Sequence, residues 1–141
     1  MTIPDENALR SWHFRELKWS LQALAIAASD QLKLFPEFVV KADEMALAFD
    51  HWASLVRSSY ESELSRSQSD SLAAIAQKLA TMSRDGAEFD LELWTDSAPS
   101  SSAHWDDVRM LATSALEAFD WPAESPPSQS KGPRGDMGSV N

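Results

Sequence analysis

Between Met1 and Ser130 the chain has a single glycine, Gly86. Tight β-hairpins need residues that reach positive φ at little cost, so a chain with almost none is poorly equipped to build them. β-Branched residues are also sparse beside the many Ala and Leu, which points the chain toward helix. An all-α fold is the expectation. The same scarcity removes phosphate-cradling loops and dinucleotide fingerprints, where clustered glycines let backbone N–H groups approach an anion. It also leaves no serine in the glycine-flanked turn of a nucleophile elbow, so the many serines read as loop and cap residues.

Apolar residues recur at helical spacing in four segments. The strongest runs from Phe35 to Val56, where Phe38, Ala42, Met45, Ala46, Phe49, Trp52, Ala53, Val56 and Tyr60 share one face. Pro36 suits the first turn of that helix, and Glu37 and Lys41 stand four apart in the favourable order. Upstream, Asp5 to Ala28 reads as a helix with two stripes on nearly opposite sides. One holds Phe14, Leu17, Leu21, Leu24 and Ala28, the other Trp12, Trp19, Ala23 and Ile26. Such a helix is either sandwiched within the fold or gives one face to a partner. A short turn from Ser29 to Leu34 joins these two helices.

Serines crowd residues 58–71 and predict a loop from Glu61 to Ser69, with Ser69 or Asp70 capping a third helix. Leu72, Ile75, Ala76, Leu79 and Met82 form its stripe, and Gly86 is placed to stop it. Residues 88–96 alternate apolar and acidic positions without any partner strand, so an extended or one-turn segment pressed on the helices is expected. Ala98 to Ser102 reads as a loop around Pro99. The fourth helix spans Ala103 to Asp120, with Trp105, Val108, Leu111, Ala112, Ala115, Leu116 and Phe119 inward. These elements predict one domain over residues 1–122, a mostly antiparallel four-helix bundle, followed by a disordered Pro/Ser/Gly-rich tail over residues 123–141.

At 141 residues and 43% hydrophobic, the chain can bury a core without staples, and it has no cysteine for disulfides or thiolate ligands. Its longest apolar run, Ala23 to Ala28, is far short of the roughly 20 residues of a membrane span. Arg15, Lys18 and the apolar stretch after them only loosely imitate a secretion signal, since Asp5, Glu6 and Glu16 intrude; a cytoplasmic location is expected. Net charge is −10 and uneven: residues 1–84 carry eleven acids and nine bases, while residues 85–120 carry nine acids against Arg109 alone. Direct binding to a phosphate backbone is therefore disfavoured, and no membrane association is expected, whereas a basic protein would be attracted to the second half.

Three histidines offer acid–base or metal chemistry. His13 with Glu16, and His104 with Asp107, are three apart and could share a helix face; Glu44 and His51 lie seven apart on the helix of the Phe35 to Val56 segment. The carboxylate-bridged di-metal bundle requires Glu-x-x-His pairs, and none occurs. No cofactor, metal site or catalytic residue is assigned. The six tryptophans offer more: Trp52 and Trp105 fall on core stripes, while Trp12, Trp19, Trp94 and Trp121 are available as anchors beside acids. The favoured expectation is an acidic protein-binding module, an immunity- or antitoxin-type inhibitor being one form. It would contact a basic partner through Trp12, Trp19, Asp90, Glu92, Trp94, Asp96, Asp106 and Asp107. A helical enzyme using His/carboxylate pairs, and a structural protein that self-associates as a homodimer through the first helix, are the alternatives.

Overall fold

The computed structural model describes residues 5–35 and 40–127, and every regular element among them is helical. Six α-helices follow in order: α1 (Glu6–Ala25), α2 (Ala28–Gln31), α3 (Lys41–Ser59), α4 (Arg66–Met82), α5 (Ala98–Ser101) and α6 (Ala103–Phe119). Short 3₁₀ turns occupy Glu61–Glu63 and Leu91–Trp94. The expectations placed on Pro36, Glu37 and Phe38, and on the tail from residue 128, lie outside the described residues.

α1 packs against both α3 and α6, and α6 packs against α4, whereas α3 and α4 meet only sparsely. One continuous core results. It takes Leu17, Leu21 and Leu24 from α1, Ala42, Met45, Phe49, Ala53 and Val56 from α3, Leu72, Ile75, Leu79 and Met82 from α4, and Trp105, Val108, Ala112, Ala115, Leu116 and Phe119 from α6. Each large side chain in this set contributes roughly 1.5–3 kcal/mol by leaving water, so the stripes govern which faces turn inward.

Element ends depart from the expected ones, for reasons that are mostly tertiary. α1 stops at Ala25, three residues early, because the buried Gln31 amide donates to the carbonyls of Ala23 and Leu24 at 2.9 and 3.2 Å. The Arg109 guanidinium then donates to the Ile26 carbonyl at 3.0 Å, so the carbonyls left over at the helix end find partners elsewhere in the fold. Among the described residues α3 begins at Lys41. Its N-cap residue Val40 has no capping side chain; Asp96, 55 positions away, accepts the Lys41 backbone N–H at 3.0 Å instead.

α4 starts earlier than expected. Ser65 accepts the Gln68 N–H at 3.0 Å and Gln68 accepts the Ser65 N–H at 2.9 Å, a reciprocal capping box that replaces the expected Ser69 or Asp70 cap. At the other end, α4 finishes at Met82 and the left-handed position falls on Asp85, at φ 75°, rather than on Gly86. Gly86 is needed for closeness: a Cβ there would stand 2.3 Å from the Ala80 carbonyl oxygen and 2.4 Å from that of Thr81. The Ala98–Ser102 loop contains one helical turn, α5. α6 matches its expected span, capped by Ser102 and ended by Asp120 at φ 60°, with the Trp121 N–H returning to the Leu116 carbonyl at 2.9 Å.

The acidic segment of residues 88–96 is a one-turn element pressed on the helices, as its isolation from any strand implied. Two indoles hold it. Trp94 donates to the Met82 carbonyl at 2.9 Å, and buried Trp105 donates to the Leu93 carbonyl at 2.7 Å, with the rings edge to face at 5.5 Å. Beyond α6, residues 121–127 form an arm without regular structure.

Candidate functional site

Two grooves flank α3, and the helical wheel explains why. Met45, Ala48 and Trp52 face one flank, while Asp43, Ala46, Leu47 and Asp50 face the other. The first groove, of about 620 Å³, lies between α1 and α3 and holds Trp12, Trp19 and Trp52. Trp12 is 41% exposed and meets Trp52 edge to face at 5.7 Å. Trp19 is half-buried, with the Arg15 guanidinium 5.1 Å from its ring centre. The second stripe of α1 thus lies in a groove, and Pro126 and Pro127 of the C-terminal arm are part of its lining.

The second groove, about 600 Å³, opens where α3 and α4 fail to close on each other. Phe89, Leu91 and Trp94 form one wall, Ala46, Leu47 and Phe49 another, and Ala76, Leu79 and Ala80 the third. Leu47 and Leu91 on its lining are 64% and 70% exposed, an unusual cost for large aliphatic side chains. Asp43 and Asp50 line the same opening, and the exposed Asp90 and Glu92 flank Leu91. Arg84, the one cation in the lining among the described residues, lies 5.5 Å from the centre of the Phe89 ring.

The residues expected to form one partner surface are therefore divided. Trp12 and Trp19 stand on one flank of α3; Trp94 lines the groove on the other, with Asp90 and Glu92 beside it. Three of the acids have work inside the fold. Asp96 caps α3 and faces the buried Lys41 ammonium at 3.5 Å. Asp106 accepts from Arg109 at 2.6 Å, and Asp107 lies 3.4 Å from the Lys78 ammonium. Arg109, the lone base of the acidic half, also reaches the Pro99 carbonyl at 2.8 Å and so ties α6 to α5. Leu47 and Leu91 were missed by sequence reasoning, although both are large apolar residues that fall off every stripe, which is the signal that could have found them.

The three histidines find different neighbours in the fold, His104 Nδ1 lying 3.7 Å from Glu88. His13 Nδ1 lies 2.8 Å from the Tyr60 hydroxyl, and His51 packs edge-on against Trp52 at 4.4 Å with no hydrogen bond to Glu44. His104 Nδ1 lies 2.9 Å from the Lys78 ammonium. Lys78 also donates to Glu88 at 3.2 Å. Glu88 is held below the usual carboxylate pKa, first by the Thr81 hydroxyl at 2.8 Å and then by Lys78. Among the described residues, no three of His, Asp and Glu converge as a metal site would require, and no helix is long and apolar enough to cross a membrane. No protein-family model matches the chain, and no curated protein or solved structure matches it either.

Proposed function

We propose that this chain is a protein-binding module that docks a basic, apolar-striped segment of another protein in the groove between α3 and α4. The observation that carries this reading is the pair Leu47 and Leu91, exposed on an apolar groove beside Asp43, Asp50, Asp90 and Glu92. An amphipathic helix laid into such a groove buries its apolar stripe on the leucines and Trp94, while lysines or arginines on its flanks meet the acids. An immunity- or antitoxin-type inhibitor of a basic cytoplasmic protein is the concrete form this takes. In this reading the four long helices form a mostly antiparallel bundle whose α3–α4 side stays open for the partner.

The test is a titration of a synthetic helical Leu/Lys peptide, and of its Leu/Glu counterpart, against the wild-type chain and the Leu47→Asp, Leu91→Asp double variant. The Leu/Lys peptide is expected to bind the wild type at least about tenfold more tightly than it binds the variant, a difference of ~1.4 kcal/mol. The Leu/Glu peptide is expected not to bind. Equal affinity of the Leu/Lys peptide for both proteins would reduce its binding to general charge attraction and remove the groove from the proposal.

A further inference from the structure

The α1–α3 groove is a separate surface with different chemistry, and the chain itself supplies an occupant. The arm leaves α6 with Trp121 stacked on Phe119 at 4.4 Å and set against Phe14 at 6.5 Å. The Gln22 amide, only 1% exposed, then donates to the Pro122 carbonyl at 2.9 Å. Next come Pro126 and Pro127, at the groove that holds Trp12 and Trp19. On the wheel of α1, Phe14, Gln22 and Trp19 follow one another from the edge of the Leu17 and Leu21 stripe around to the opposite side. The arm therefore passes from the core edge of α1 at Phe14, over Gln22, to the groove lined by the tryptophans, where the diproline stands.

Ser125 and Pro126 each precede a proline, which drives both away from helical angles and toward the extended polyproline conformation. Such a segment gives up little conformational entropy on docking, and aromatic grooves recognise it for that reason. The size of the groove fits. Trp12 and Trp19 are two helical turns apart, about 10 Å along α1, and three polyproline residues advance about 9 Å.

We propose that the α1–α3 groove is a proline-recognition surface whose resident occupant is this chain's own Pro126-Pro127 segment, bound in cis. Because the arm is tethered a few residues away through Trp121 and Pro122, its effective concentration at the groove is in the millimolar range. A proline-rich segment arriving from elsewhere must displace it.

The full-length chain with Pro126→Gly and Pro127→Gly provides the test, read by the indole N–H resonances of an assigned ¹⁵N spectrum. The expected result is a shift of the Trp12 and Trp19 signals with Trp105 unchanged. Titration with the capped peptide Glu-Ser-Pro-Pro-Ser-Gln is expected to return them toward their wild-type positions, with an affinity at least about tenfold weaker for the wild-type chain, where the resident arm competes. Adding Trp12→Ala to the glycine variant is expected to abolish peptide binding. Unmoved Trp12 and Trp19 signals, or signals that the peptide does not restore, would overturn the proposal. A wild-type dimer that the glycine substitutions convert to monomer would also overturn it, by assigning the diproline to a second copy.

Discussion

Glu88 sits where two helical ends and a loop exchange charge: Lys78 of α4 reaches Glu88, Asp107 and His104, and Thr81 adds a hydroxyl to the same carboxylate. The folded state favours ionised Glu88 more than the unfolded chain does, so its contribution to stability is full above the ordinary glutamate pKa. It is lost as pH falls through the lowered folded-state value. Glu88→Gln is accordingly expected to be less stable than wild type near neutral pH, with the gap closing on acidification; urea midpoints measured down a pH series check this, and a gap that does not change with pH refutes it. Asp96 shows a comparable economy of position. An acid that the sequence offered as a surface contact supplies the cap that Val40 cannot, and it pairs with a lysine that is otherwise buried.

At the scale of elements, helix interiors follow the apolar stripes and helix ends follow local or remote hydrogen bonds. α4 and α6 carry their own signals, Ser65 with Gln68 and Ser102, and both could be read from nearby residues. The ends of α1 and α3 depend on Gln31, Arg109 and Asp96, whose partners no local pattern names. The turn after α4 depends on close approach rather than on a left-handed glycine. Gly86→Ala is expected to destabilise the fold by about 1–3 kcal/mol, the range for forcing an extra carbon into a filled site, because the obstructing atoms are backbone carbonyls that cannot swing aside. Chemical denaturation measures this; a loss below about 0.5 kcal/mol would mean that the turn relaxes freely.

At the scale of the whole molecule, all four long helices contribute to one buried cluster, with Trp105 sealing the 3₁₀ turn over its end. Such a core should melt in a single cooperative step, with helicity by circular dichroism and tertiary packing by tryptophan fluorescence losing signal at the same denaturant concentration. Separate transitions for the two probes would show that α3, which meets α4 so sparsely, unfolds on its own. The open α3–α4 side is also a property of the whole molecule. It arises because α1 and α6 each bridge two neighbours while α3 and α4 are left to converge on the short Leu91–Trp94 turn.

The sequence by itself determined the all-helical class and the inward faces, because both depend on local quantities: side-chain periodicity, the near-absence of glycine and the lack of any partner strand. Only the tertiary structure decided that Asp96, Asp106 and Asp107 serve internal cations, that Trp12 and Trp19 lie across α3 from Trp94, and that a diproline reaches the first pair. Those outcomes turn on distances between residues up to a hundred positions apart, as with Gln22 and Pro122, and the spacing of residues along one helix carries no information about them.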